Sequence, residues 1–274
     1  MFWRIHKQLV GDRLQEIVKW ISSKDDGHEI VDSGYQESPD AHRLVDGKHA
    51  LALTTLRDAN NLKWNAVPGL FWDRNSYNIS HYMSKLPEHV PVLNRNGFFL
   101  TADMIKRYPA LQPASGSSEI EVFVRPNSGN KSFPGQVLRA ANESEWRSVW
   151  TVWKNTYHLM DDELCWCSPV VAVSEIEWRV WIVGGHVVAW SPYSWSGDVV
   201  DWHSLPNEIA GLAEQVAKNP WQLDDAYVVD FAIVDGRAWL VEINAASTSG
   251  LYQVPIDCLM TALRNAALSI RGGV

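Results

Sequence analysis

The segment that most constrains the fold runs from Asp230 to Asn244 and reads as two strands joined at Asp235-Gly236. We predict a three-residue loop, Val234-Asp235-Gly236, with a left-handed Gly236. An odd loop places Asp230 and Glu242 on the same face of the hairpin. The opposite, core-facing side then carries apolar residues, namely Phe231, Ile233, Trp239, Val241 and Ile243. The chain must therefore contain an antiparallel sheet with one apolar and one polar face.

The polar face of this hairpin predicts a cation site. Asp230 and Glu242 are expected to be diagonal neighbours, about 7–8 Å apart at the backbone. Asn244 follows on the same face, and two carboxylates with an amide oxygen suit Mg²⁺, a hard cation that keeps waters and shares substrate phosphates. A solvated face with ordinary surface acids is the alternative, and the spacing alone does not separate the two.

Strands and helices surround this hairpin. Alternating polar and apolar residues predict strands at 119–125, 177–183 and 186–190, and Gly184-Gly185 is typical of a two-residue hairpin turn between the last two. Helical spacing of apolar residues predicts four helices: one after Asp12 as cap, with Leu14, Ile17, Val18 and Ile21; one capped by Asn142, with Trp146, Val149, Trp150 and Trp153; one at 207–218; and one beginning at Pro255. From 32 to about 118 the patterns indicate no topology.

Two further segments carry charges that suit phosphate binding. Arg125 ends the first of these strands, and a loop rich in turn residues follows from Pro126 through Lys131. A solvated turn with exposed cations is the alternative. In the strand at 177–183, Glu177 and Arg179 share one face, which an ion pair between them would also explain.

Composition excludes several classes of protein. With 24 Lys+Arg against 32 Asp+Glu the net charge is −8, so nucleic acid is not the expected partner. No apolar run approaches the roughly 18–20 residues that cross a bilayer, and Arg4, His6 and Lys7 interrupt any signal-peptide core. Three cysteines favour a reduced, cytoplasmic setting. The 15 tryptophans are expected to pack the core, and the nine histidines show no metal spacing.

The order of these segments resembles the ATP-grasp superfamily. The resemblance is carried by Val124-Arg125-Pro126 with the loop at 128–135, by Glu177-Trp178-Arg179-Val180 before Gly184-Gly185, and by Asp230 with Glu242-Ile243-Asn244. It covers about residues 119–274. Arg125 stands where most members have a lysine. Together with Lys131 and Arg179, it makes the chain similar to the clade that is distinguished by two arginines and a lysine.

The resemblance implies a site for ATP and Mg²⁺. Asp230, Glu242 and Asn244 would hold the metal, Arg125 and Lys131 would contact phosphates, Glu177 would approach the ribose, and Arg179 would face the transferred phosphate. Backbone groups at 167–173, with Val170 and Val171 as candidates, would recognise adenine. Four residues are candidates for substrate binding: Tyr193, Ser247, Ser249 and Gly250. Asp198 is a further one.

The resemblance also implies an α+β, ATP-grasp fold in which two α+β lobes sandwich ATP, preceded by a small mixed α/β N-terminal region. We expect that region at 1–118, with a linker at Ser115–Ser118, a smaller lobe at 119–165 and a C-terminal lobe at 166–274. The implied activity is ATP-dependent carboxylate–amine ligation through an acylphosphate, on an amino acid or peptide. The alternatives are a kinase that stops at phosphoryl transfer and a non-catalytic, Trp-rich module that binds sugar or protein.

Overall fold

A computed structural model describes residues 1–32, 50–61, 69–73, 75–108, 119–194 and 203–269. The chain divides into two compact units: the first comprises Met1–Asp73, Pro87–Pro91 and Val173–Val274, and the second Arg74–Leu86 and Val92–Ala172. The described residues form three sheets and several helices, which confirms the α+β class. The linker predicted at Ser115–Ser118 and the candidate Asp198 lie outside the described residues, so both stay predictions.

The first unit begins with a parallel sheet. Strands β1 (Phe2–His6), β2 (Gly27–Val31) and β3 (Ala50–Leu53) lie in the order β2-β1-β3. Helices α1 (Lys7–Val10), α2 (Leu14–Ser22) and α3 (Leu56–Asn61) follow the strands. Asp12 was predicted to cap α2, and this is wrong: a 3-10 turn at Gly11–Arg13 leads directly into the helix, which has no side-chain cap.

The second unit is built on an antiparallel sheet. It contains β4 (Phe98–Thr101), β5 (Ile120–Pro126), β6 (Gln136–Ala140) and β7 (Leu164–Ser168) in the order β4-β7-β5-β6, with helices α4 (Ile79–Met83), α5 (Ala102–Ile105) and α6 (Glu143–Thr156). Asn142 caps α6 as predicted, because its Oδ1 accepts a hydrogen bond from the Glu145 amide at 3.0 Å. Trp146, Trp150 and Trp153 on α6 are buried in the core of this unit.

A second antiparallel sheet completes the first unit. Strands β8 (Ile176–Val183), β9 (His186–Ser194), β10 (Ala226–Val234) and β11 (Arg237–Ala245) lie in the order β11-β10-β8-β9. Gly184 and Gly185 join β8 to β9 with φ of 56° and 75°, as the predicted turn requires. Helices α7 (Asn207–Ala217) and α8 (Ile256–Ser269) match their predictions.

One apolar core connects the two sheets of the first unit. Side chains from β1, α2, β8 and α8 belong to the same buried cluster, among them Trp3, Ile17, Trp181 and Leu259. In the described part of the chain every tryptophan is buried or half-buried, which confirms the core-packing interpretation. Within the same ranges, no helix combines the length and apolar character needed to cross a membrane.

Candidate active site

The hairpin of β10 and β11 brings Asp230 and Glu242 to one face by a different route from the predicted one. The loop has two residues, since Val234 pairs with Arg237, and Asp235 and Gly236 take φ of 49° and 73°. The predicted three-residue loop is therefore wrong. A register shift next to Asp230, where Val241 is the extra residue, restores the alignment and places Glu242 directly opposite Asp230.

This bulge also corrects the predicted core face of the hairpin. Leu240 pairs with Phe231 and is fully buried, whereas Trp239 pairs with Ala232 on the side of the sheet that carries Asp230. The prediction had assigned Trp239 to the core face because it assumed an uninterrupted ladder of hydrogen bonds. One extra residue between Leu240 and Glu242 exchanges the faces of the residues before it.

The three predicted metal ligands converge at one point. Asn244 Nδ2 donates to Asp230 Oδ2 at 2.8 Å and to Glu242 Oε1 at 2.7 Å. Asp230 is fully buried and Asn244 nearly so. The donor set fits Mg²⁺, because turning the Asn244 amide about its last bond presents a third oxygen to the same point. Within the described ranges, no group of three or more His, Cys, Asp or Glu is arranged to hold a metal ion, so the candidate set depends on this amide.

Arg179 is fixed beside these residues by paired hydrogen bonds. It lies opposite Asp230 on β8, its Nε donates to Oδ1 at 2.9 Å, and its Nη2 donates to Oδ2 at 2.8 Å. The third donor, Nη1, bonds the Gly250 carbonyl at 3.2 Å. Burial would lower the pKa of Arg179, but the charge and hydrogen bonds of Asp230 outweigh it and raise that pKa. A permanent cation is thus held in one orientation.

Glu177 is a buried carboxyl with an unsatisfied oxygen. Its side chain accepts a short hydrogen bond from the Tyr193 hydroxyl through Oε2, while Oε1 has no partner. Burial first, and then the charge of Asp230, raise the pKa of Glu177 to about 8. The Glu177–Arg179 ion pair considered as an alternative is not formed, because the salt bridge of Arg179 is made to Asp230. An orphaned acceptor of this kind suits a ligand hydroxyl.

The loop after β11 holds the other candidate substrate residues, and most of its polar groups bond within the protein. Ser247 is fully buried, its Oγ accepts from the Phe71 amide at 2.9 Å, and its carbonyl accepts from the Thr54 amide at 2.7 Å. Ser249 Oγ donates to the Ala245 carbonyl at 2.8 Å. These bonds hold the loop in place beside the Gly250 carbonyl that Arg179 contacts.

The remaining predicted residues belong to the second unit. Arg125 is half-buried on β5, and Lys131 is exposed and left-handed, with φ of 49°. The loop between them is tied to the unit, because the Gly129 amide donates to Asn78 Oδ1 at 3.3 Å. Val170 and Val171 follow β7 in an irregular segment. Their roles and those of Arg125 and Lys131 stay predictions.

The sequence match covers most of the chain. An ATP-grasp domain family, described as family 3 of the clade that is named for two arginines and a lysine, matches residues 27–264. The chain belongs to this ATP-grasp family. No curated protein matches it.

Solved ATP-grasp structures share the fold of this ATP-grasp protein. D-alanine–D-alanine ligase from Bacillus anthracis superposes with a TM-score of 0.60 and 14% identity, over 99% of this chain and 98% of the ligase. The same ligase in complex with ATP gives 0.59 and 14%, over 99% of both chains. A RimK domain protein of ATP-grasp type from Sphaerobacter thermophilus gives 0.58 and 10%, over 98% of this chain and 97% of that one. At these identities the likeness shows the fold alone.

Sequence reasoning missed two residues that contact this site or the loop beside it. Tyr252 lies 5.0 Å from the Arg179 guanidinium carbon by its ring centroid. Arg13 bonds the Tyr252 carbonyl from the far end of the sequence. Neither residue belongs to a local pattern, so the sequence contains no signal that would have pointed to them.

Proposed function

We propose that this ATP-grasp protein is an ATP- and Mg²⁺-dependent carboxylate–amine ligase that acts on an amino acid or peptide. The observation that carries the proposal is the polar face shared by β8, β10 and β11. Asn244 touches both Asp230 and Glu242, and Asp230 holds Arg179. Family membership supports nucleotide use, and a neighbour in the same fold is named as a ligase that joins D-alanine to D-alanine.

Each residue has a role that its surroundings support. Asp230, Glu242 and Asn244 would hold Mg²⁺, which when bound neutralises charge on the nucleotide phosphates. Arg179 would face the transferred phosphate, and its two bonds to Asp230 leave little reorganisation to be made in the transition state. Glu177 Oε1 would accept a hydrogen bond from a ribose hydroxyl.

The second unit and the loop after β11 supply the other proposed contacts. Arg125 and Lys131 would bind phosphate oxygens as cations, and the backbone at Val170 and Val171 would bind adenine. For the substrate we retain Tyr193 together with the loop residues Ser247, Ser249 and Gly250. Among these, Tyr193 and Gly250 contact Glu177 and Arg179 directly.

The proposed reaction has two steps. A substrate carboxylate oxygen attacks the γ-phosphorus and ADP leaves, which gives an acylphosphate. An amine then attacks the acyl carbon, phosphate leaves and the amine proton passes to solvent, so that an amide is formed. The residues named above bind, orient and neutralise charge, as phosphoryl transfer requires. We place the reaction in the cytoplasm, which agrees with the free, buried thiols of Cys165 and Cys167.

The experiment supplies MgATP with pools of amino acids and short peptides, and follows phosphate release and product mass. A ligase gives ADP, phosphate and a product lighter by one water than its two substrates combined. With hydroxylamine in place of the amine, an acylphosphate is trapped as a hydroxamate. Glu208→Gln, at an exposed position on α7, is the matched control for Glu242→Gln. A phosphorylated product without amide would identify a kinase, and no ATP consumption with any pool would overturn the proposal.

A further inference from the structure

The loop from Gly250 to Val254 holds a tyrosine in an unfavourable backbone conformation. Tyr252 has φ of 48°, in the left-handed region that bulky side chains rarely occupy. Such a conformation persists only where the surrounding structure fixes it, and fixed outliers cluster at functional sites. The next residue is fixed as well, because the Gln253 amide donates to Ser191 Oγ at 2.9 Å.

The guanidinium of Arg13 holds this loop from outside. Its Nη1 donates to the Tyr252 carbonyl at 2.7 Å, and its Nη2 donates to the Val254 carbonyl at 3.0 Å. Two carbonyls that lie two residues apart bond the same planar fork, which requires the backbone between them to turn. Arg13 also pairs with Glu16 through its Nε at 2.9 Å, so its own position is defined.

The turn places the Tyr252 ring against the candidate site. The ring stacks on Tyr193, with centroids 4.7 Å apart and planes inclined by 7°. The guanidinium carbon of Arg179 lies 5.0 Å from the Tyr252 centroid and 5.3 Å from that of Tyr193, within the range of cation–π attraction. The Tyr193 hydroxyl in turn bonds Glu177. The Tyr252 ring is half-exposed, so packing alone does not hold it there.

We infer that Arg13 is a positioning residue, which fixes the stacked pair Tyr193–Tyr252 and through it the orientation of the Arg179 guanidinium. The role of Arg179 in phosphoryl transfer rests on the proposed function, whereas the link from Arg13 to the tyrosine pair does not. Arg13 itself touches no group assigned to substrate or nucleotide.

Fluorine NMR of protein labelled with 3-fluorotyrosine tests the link without any ligand. The chain has eight tyrosines, and Tyr193→Phe and Tyr252→Phe identify the two signals of the pair. In Arg13→Ala both signals are expected to move towards the shift of solvent-exposed fluorotyrosine, and in Arg13→Lys they return part of the way. Glu16→Gln, which removes the ion pair but keeps the two carbonyl bonds, is expected to leave them in place. Unmoved signals in Arg13→Ala would overturn the inference.

Steady-state phosphate release from MgATP, measured well below the unfolding temperature, tests the second part of the link. Arg13→Ala is expected to lower kcat about tenfold with little change in KM for MgATP, a smaller loss than the roughly 100-fold that a 1 Å misplacement causes. Moved signals with unchanged kcat would overturn the link to Arg179. If the wild type consumes no ATP with any substrate pool, the proposed function fails, and the fluorine signals alone decide the role of Arg13.

Discussion

Glu177→Gln is expected to make the ligand-free protein more stable relative to wild type as the pH rises. The side chain of Glu177 is 2% exposed, and burial with the nearby charge of Asp230 raises its pKa from 4.5 to about 8. The folded protein therefore holds a proton at neutral pH that the unfolded chain has released. Glutamine keeps the acceptor for the Tyr193 hydroxyl and does not titrate.

The sign and the size follow from linkage between protonation and folding. Because the folded pKa lies above the unfolded one, the contribution of Glu177 is fully present below pH 4.5 and is lost as the pH rises to about 8. In that window the free energy of unfolding falls by about 1.4 kcal/mol per pH unit. Between pH 5 and pH 8, the difference between variant and wild type should change by about 4 kcal/mol in favour of the variant.

Urea unfolding at 25 °C measures this difference at pH 5, 6, 7 and 8, without nucleotide or divalent cations. Taking the difference between the two proteins cancels the groups that titrate in both. Glu175→Gln is the matched control, because it removes the same charge at an exposed position two residues earlier. A Glu177→Gln difference that stays constant within about 0.5 kcal/mol from pH 5 to pH 8, as for a surface substitution, would refute the reasoning.

The other predictions address the metal, the phosphates and the fold. Glu242→Gln should lower MgATP turnover by about 10²–10³ with an unchanged melting temperature, and normal turnover would remove the metal assignment. ATP should raise the melting temperature of the wild type only together with Mg²⁺, and less so in Arg125→Ala when both are titrated by thermal shift; an equal shift in that variant would contradict the phosphate role. Asn142→Ala should lower the free energy of unfolding in urea by about 1 kcal/mol. Deleting Val241 should cost less stability than deleting Ala238, since only the second deletion moves core residues to the polar face; equal losses in urea would refute the register argument.

The features that the sequence predicted well depend on residues close together in the chain. Gly184-Gly185 and Asn142 specify a turn and a cap through their own backbone preferences and side-chain reach, so each was predictable from a few neighbouring letters. The weak region between 32 and 118 behaves in the opposite way. Its described helices, such as Ile79–Met83, span about one turn or little more, which is too short for apolar periodicity to show.

The features that the sequence did not predict depend on contacts between distant residues. Arg179 and Asp230 are 51 positions apart, and their pairing follows from the register of β8 against β10. The left-handed Tyr252 is held by Arg13, 239 positions away. No local preference favours either arrangement, and for an aromatic residue local preference opposes a positive φ. Such positions become visible only when the strands are paired.

Val241 shows how strongly the candidate site depends on register. A two-residue loop with an uninterrupted ladder would pair Asp230 with Val241 and turn Glu242 and Asn244 to the opposite face. The extra residue reverses this only beyond Leu240, so the turn keeps its two left-handed residues and Leu240 keeps its place in the core. The bulge therefore lets one strand satisfy two requirements that a regular strand cannot meet together, an apolar core near the turn and a converging set of oxygen ligands beyond it.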